Sequence, residues 1–277
     1  MSLRGDDEQA ASLRVMTFNL RRDMGDWSWC RADRWSVRKH RVAALLDTER
    51  PAVLAAQEAL PRQAHFVRSS LGAGYGCLGR GRGKNGSGEG CPVFYDAERL
   101  EVLDWQQFML SETPQEAGSR FGGALFPRIM VSVEFRDRVS ESQFRFVNTH
   151  LDPLSRRARL RSIEMIRAHV ASNKEPVVVA GDFNAGPHSE AMTALLENGH
   201  LIDAWHAAEK RTTPEYATYA RYRPPQIGRR IDWIMTTPEI RVDSIAINAA
   251  QFDGGWPSDH LPVQATLELP SRVATHD

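Results

Sequence analysis

Cysteine is scarce in this chain of 277 residues: Cys30, Cys77 and Cys91 are the whole set, with no CxxC pair and no regular spacing. An odd, sparse set excludes a disulfide framework and a thiolate zinc site, and it points to a reducing compartment, the cytoplasm. Long apolar runs are missing as well. None approaches the roughly 20 residues of a membrane-crossing helix, and the opening MSLRGDDEQAAS has no apolar core of a secretory signal. Residues 1–12 read as a disordered lead-in and 271–277 as a tail, around one domain at 13–270. An excess of charge of either sign is also lacking, since 35 Lys and Arg balance 35 Asp and Glu. Non-specific nucleic-acid binders draw their affinity from phosphate neutralisation and are visibly basic. Here only local arginine clusters occur, each readable as solvated surface.

Two catalytic signatures are absent too. The glycine-rich stretch GRGRGKNGSGEG, Gly79 to Gly90, contains a GxGxxG match but lacks GxxxxGK[ST] and opens no recognisable helix. It reads as a flexible surface loop. No Ser or Cys sits on an obvious nucleophile elbow, which disfavours covalent acyl-transfer chemistry.

What remains is an ordinary globular composition, 42% hydrophobic and 25% charged, long enough to bury a core unaided. β-rich apolar runs alternate with helical patterns, the mark of an α/β or α+β sandwich. Strands are predicted at 13–18, 52–56, 93–95, 129–135, 144–147, 177–180, 231–235 and 262–269. Helices are predicted from after Asp33, as N-cap, to about Glu49, from Ser155 to Val170, and from Ser189 to Glu197.

The chemistry gathers where strands end. LRVMTF runs into Asn19, AVLAA into Gln57-Glu58, FRFV into Asn148-Thr149-His150, and VVVAG into Asp182-Phe183-Asn184. Ligands of open α/β sheets bind at such carboxyl edges. Asp232 and Ser258-Asp259-His260 stand instead at strand beginnings. If those strands run antiparallel to the others, their beginnings share that edge. An Asp or Asn after a strand is most often a turn residue, and a lone histidine is most often structural. Six such motifs converging is a different matter. Carboxylates, imidazoles and amides without a nucleophile suit a hard divalent cation, an activated water and a phosphate ester.

The ordered series TFN, QE, NTH, GDFN, IDWI and SDHLPV closely resembles the endonuclease/exonuclease/phosphatase superfamily, over roughly Leu13 to Leu269. LSETP and FPRI further resemble its uncharacterised bacterial branch. The resemblance implies a four-layer α/β sandwich, two packed mixed β-sheets flanked by helices, and hydrolysis of phosphoester bonds with Mg²⁺ or Mn²⁺. It implies Glu58 as the principal metal ligand, with Asn19 and Asp259 nearby, and Asp182 positioning or activating the water. His150 and Asn184 would contact the scissile phosphate, and His260 would stabilise the pentacovalent phosphorus centre or act as acid/base. Asn148 and Arg128 are, beside the resemblance, candidate substrate contacts. Some nucleases of the group carry an acidic residue two positions after the first Asn. Here Arg21 stands there, which speaks against a second metal ligand and against an abasic-site endonuclease.

The balanced charge favours a nucleotide, single-stranded nucleic acid or other small phosphate ester over duplex DNA. Trp27, Trp29, Trp35, Trp256 and Tyr222 are candidates either to meet substrate or to pack the sandwich edge. Dinuclear His/Asp metallophosphatases share a GD motif, but their GNH and GHxH motifs are missing. A catalytically inactive phosphate- or nucleic-acid-binding member of the fold is the other alternative, and it should have lost one of Glu58, Asp182 or His260. Neighbouring residues of an extended segment project to opposite sides. Asp232, arriving on another strand, is therefore the expected partner of the His260 ring, with the adjacent Asp259 on the metal side.

Overall fold

Residue parity along the strands decides the architecture. In the computed structural model, which describes residues 12–270, β1 (Leu13–Asn19) sends Leu13 and Val15 into one apolar cluster and Met16 and Phe18 into another. A strand greasy on both faces must be covered on both. β1 is central in a seven-stranded sheet, in the order β10 (Lys210–Arg211), β12 (Arg241–Ile247), β13 (Val263–Glu268), β1, β2 (Val53–Gln57), β4 (Val93–Asp96), β3 (Tyr75–Leu78). The second sheet has six strands: β5 (Leu100–Met109), β6 (Ile129–Asp137), β7 (Gln143–His150), β8 (Val177–Asp182), β11 (Asp232–Thr236), β9 (Ile202–Asp203).

The two sheets pack face to face through Val15, Val53 and Val93 on one side and Val133, Phe135, Phe144, Phe146 and Val178 on the other. Each of the three phenylalanines is fully buried, a gain of about 1.5–3 kcal/mol apiece. The outer face of the first sheet is covered by α1 (Trp35–Glu49) and α2 (Pro61–Leu71), through Val42, Leu46, Val67 and Leu71. That of the second is covered by α3 (Arg156–Ala171) and α4 (Glu190–Leu196), through Ile163, Ile166 and Met192. A short α5 (Ala204–Ala207) follows β9. The fold is a four-layer α/β sandwich with two mixed sheets. No helix among the described residues is long and apolar enough to cross a membrane.

Both sheets are mixed in the way the site needs. β1 pairs parallel to β2 and antiparallel to β13, while β8 pairs parallel to β7 and antiparallel to β11. The beginnings of β11 and β13 therefore lie at the same edge as the ends of β1, β2, β7 and β8.

Several expectations need correction. Asp33 does not cap α1; it ends a 3-10 turn at Arg31–Asp33, and Arg34 takes the cap position without a side-chain bond. Ser155 and Ser189 do cap their helices, accepting the N–H groups of Ala158 and Met192. The strands β3, β5, β9, β10 and β12 and the helices α2 and α5 had no counterpart in the sequence reading. β5 is an edge strand whose Glu, Asp and Gln residues blur the alternation, because most of it is only partly covered. The Gly79–Gly90 stretch is pinned by bridges from Gly90 to Ala59 and Gly81 and is part of the site wall rather than a free surface loop. The lead-in and tail expected at 1–12 and 271–277 fall, apart from Ser12, outside the described residues.

Candidate active site

Parity also aims the chemistry. Phe144 and Phe146 on β7, Val178 and Ala180 on β8, and Ile234 on β11 all point between the sheets. On the same face, Asp182 lies two residues beyond Ala180, Asp232 two before Ile234, and His150 four beyond Phe146. Strand register sets these three abreast, His150 opposite Asp182 and Asp182 opposite Asp232. Gly181 makes this spacing possible: at φ 150° a Cβ there would lie 2.1 Å from the Thr149 carbonyl oxygen.

Across the gap, the Asn19 amide donates to Asp182 Oδ2 at 2.9 Å and to Glu58 Oε1 at 3.2 Å, tying the two sheets together at the edge. Glu58 has φ 57°. Strict alternation after Ala56, which faces the helices, would have sent Glu58 outward, and the left-handed turn brings it back over the edge. Its other oxygen accepts the Arg22 N–H at 2.8 Å. Burial pushes the Glu58 carboxyl up, but that N–H, His260 and Asn19 outweigh it and hold it below the ordinary range. Asn184 also sits in the left-handed region, φ 50°, and its N–H donates to Asp182 Oδ1 at 2.9 Å. Non-glycine residues held there store strain of about 1–3 kcal/mol, a feature concentrated at functional sites.

His260 Nδ1 lies 2.8 Å from Asp232 Oδ2, and Nε2 is 3.9 Å from Asp182 Oδ2. Asp259 turns away toward Arg21, 3.7 Å distant. Burial alone would drive His260 down, but Asp232, with Asp182 and Asp259, raises it well above 6.5. His150 goes the other way: burial, then Arg128 and Arg82, depress it well below 6.5, so the ring is neutral. Burial and the neighbouring Asp232 raise Asp182 to about 7. Asp259 is also raised, by burial and by Glu58, against the pull of His260, Arg21 and Arg38. Asp232 Oδ1 is buried with no hydrogen-bond partner. Buried carboxylates in mutual repulsion form a donor set that a divalent cation relieves, and all the oxygens are hard. Asp182, Asp232 and His260, with ligand atoms within 4.8 Å of one another, form one group able to hold a metal ion. Glu58, Asn19 and Asp259 border the same space. The cavity there is about 410 Å³, lined also by Arg82, Arg128, His150 and Tyr219.

A family model, Endonuclease/Exonuclease/phosphatase family, matches residues 16–260. The chain belongs to this family. Its members hydrolyse phosphoester bonds. Among solved structures, a family protein from Bacteroides vulgatus is 31% identical, with a TM-score of 0.85 over 93% of this chain and 99% of that one. A mannosyl-6-phosphatase from Bacteroides thetaiotaomicron is 26% identical, with a TM-score of 0.84 over 92% and 99%. Protein angel from Drosophila melanogaster is 27% identical over 120 residues, 42% of this chain but 33% of that protein's length.

Not every expected residue reaches the cavity of this family member. Asn148 lies between the sheets, fully buried. Its amide donates to the carbonyls of Ala56 and Pro92 at 2.9 and 3.0 Å, and its oxygen accepts from Gln57 at 2.8 Å. Parity places it one step below His150, sealed beneath the cavity and outside its lining. Tyr222 is spent on Asp33, donating at 2.9 Å, beside the Arg21–Asp33 ion pair. Trp35 packs edge-on against Phe66, and the Trp256 indole donates to Ala249, whereas Trp27 and Trp29 stand 93% and 103% exposed. Sequence reasoning missed Arg82 and Glu89, because it set the glycine-rich stretch aside. It also missed Arg38, fully buried, which donates to the carbonyls of Leu20, Arg21 and Pro257 and so braces the Asn19 and Asp259 loops together. No local pattern marks that role.

Proposed function

We propose that this protein is a divalent-metal-dependent phosphoesterase in which Asp182 handles the attacking water and His260 the phosphoryl charge. The observation that carries the reading is the Asn19 amide, which holds Glu58 and Asp182 from opposite sheets against one cavity. Asp182, Asp232 and His260 lie close enough together to hold an ion, but Asp232 holds His260 in its protonated form, which cannot ligate. Glu58 and Asp259, with the Asn19 amide oxygen, would therefore hold Mg²⁺ or Mn²⁺, which would supply positive charge against the phosphate oxygens.

Asp182, poised near neutrality at about 7, orients a water and takes its proton as the water oxygen bonds to phosphorus. The phosphorus–oxygen bond to the leaving group then breaks. Asp232 keeps His260 protonated, so its Nε2–H donates to an oxygen on which charge grows. Neutral His150 and the Asn184 amide complete the donor set, and Arg128 meets the bound phosphate. A cytoplasmic setting belongs to this reading and rests on the sparse, unpaired spacing of the three cysteines in the sequence. The substrate is a phosphate ester, and nucleotides, single-stranded nucleic acid and sugar phosphates belong on one assay panel.

The test is turnover of that panel with Mg²⁺ or Mn²⁺, before and after chelation. Activity is expected to vanish in excess EDTA and to return with either cation. Full activity in EDTA would sink the metal assignment, and no turnover of any ester with either cation would sink the whole reading.

A further inference from the structure

Four arginines line the cavity among the described residues: Arg21, Arg22, Arg82 and Arg128. Three have carboxylate partners. Arg21 pairs with Asp33 at 2.9 Å, and Arg22 and Arg82 share Glu89, each at 3.0 Å. Arg128 does not. The residue is 6% exposed, and its Nε and Nη1 are buried without any hydrogen-bond partner. Asp152 and, more weakly, Glu89 are the cavity carboxylates whose charges favour it, and Glu89 is already shared by Arg22 and Arg82. But Asp152 Oδ1 already accepts the N–H groups of Leu154 and Ser155 at 2.9 and 2.7 Å, and it makes no ion pair with Arg128.

A guanidinium taken out of water without a counterion costs several kcal/mol. Burial, then Arg82, pull Arg128 below the ordinary arginine range, so the local structure opposes this charge rather than using it. A side chain kept under those terms is held for an anion that arrives from outside.

Its place in the fold says which part of the substrate it meets. Arg128 directly precedes β6, and β6 pairs antiparallel with β7, whose last residue is His150. Arg128 is also the largest charged influence on the His150 ring. The fork therefore lies at the His150 end of the cavity. Oxygen counting then separates two substrate classes. A phosphodiester has two non-bridging oxygens and one charge. A phosphomonoester has three, and a second charge above a pKa of about 6. With His260, Asn184 and the metal side assigned to two of these oxygens, Arg128 and the neighbouring His150 face the third. The third bears a carbon in a diester, and an unpaired charged fork against it would stay unmatched. Terminal on a monoester, that oxygen is the acceptor a guanidinium suits best, because it can take two N–H bonds at once.

Resting on the phosphoesterase reading, we propose that Arg128 is the specificity-determining cation of the cavity, and that the substrate class is the dianionic phosphomonoester. Arg128→Met, similar in volume and without charge, and Arg128→Lys, which keeps the charge and loses the fork, test it. Turnover is measured on p-nitrophenyl phosphate and bis-(p-nitrophenyl) phosphate. Binding of inorganic phosphate and dimethyl phosphate is measured by calorimetry at pH 8 with Mg²⁺.

The wild-type protein should prefer the monoester. Arg128→Met should lower the monoester-to-diester ratio of kcat/KM, and the phosphate-to-dimethyl-phosphate ratio of affinities, by about 100-fold, the scale of one lost charged donor in a closed site. Arg128→Lys should fall between. Because the substitution removes an uncompensated buried charge, the thermal midpoint of Arg128→Met should be equal to or above that of the wild type. Equal losses on both members of each pair, a wild-type preference for the diester, or a Met variant that unfolds more easily would each overturn the assignment. A wild-type protein inactive on both esters with either cation would instead remove the phosphoesterase reading beneath it, a result distinguishable from all three.

Discussion

Replacing Asn148 by alanine separates a structural from a catalytic reading of the NTH motif. The side chain makes three buried hydrogen bonds, to Ala56 O, to Pro92 O and from Gln57 Nε2, at 2.9, 3.0 and 2.8 Å. Two of the three freed groups keep another partner. Pro92 O still accepts the Ala56 N–H at 3.1 Å, and Gln57 Nε2 still donates to Thr17 Oγ1 and Ala55 O at 3.0 and 3.1 Å. The full penalty of orphaned polar groups therefore does not apply, and a net value of about 1 kcal/mol per bond is the better guide. The variant should lose about 3 kcal/mol of stability, a fall of roughly 6–12 °C in Tm for a domain of this size. Urea unfolding in EDTA, where metal binding adds nothing, should show a lower midpoint with an unchanged slope. KM for the protein that remains folded should stay near the wild-type value. Stability within about 0.5 kcal/mol of wild type, the ordinary range of a surface change, together with a raised KM, would refute the inter-sheet role and restore Asn148 as a substrate contact.

Asp232→Asn removes the anion that lifts His260 against burial, so the ring should lose its proton at neutral pH and the alkaline limb of the pH–rate profile should move down. A raised histidine contributes stability fully present below 6.5 and lost as pH climbs through the higher folded value. The stability deficit of this variant should thus be greatest near pH 6–7 and shrink in alkali, and an unmoved alkaline limb would contradict the pairing. Glu58→Gln should weaken Mg²⁺ binding in calorimetry by more than Asp182→Asn does, since the first removes a proposed ligand and the second a group proposed to act on water. Identical titration curves for the two would undo that division of roles.

The layered sandwich and the shared edge were legible along the chain, because strand alternation and the residues after each strand are local properties. The period of two sorts Leu13 and Val15 from Met16 and Phe18 without any knowledge of partners. The same rule, applied to adjacent Asp259 and His260, chose Asp232 for the ring, and the ring lies 2.8 Å from it. Local pattern failed where exposure or distance decided. The edge strand β5 and the short helix α2 bury too narrow a face to announce themselves. Asn148 and His150 share parity, so only the packing of the second sheet determines that one is sealed beneath the cavity and the other lines it. Asp33 and Tyr222 are 189 residues apart and meet through tertiary packing alone. The pairing of Arg22 and Arg82 with Glu89, and the lack of any such partner for Arg128, likewise depend on which loops the closed sandwich brings to one mouth. A chain can state which residues are charged, but which charges are neutralised is decided only when distant segments are packed within a few ångströms of one another.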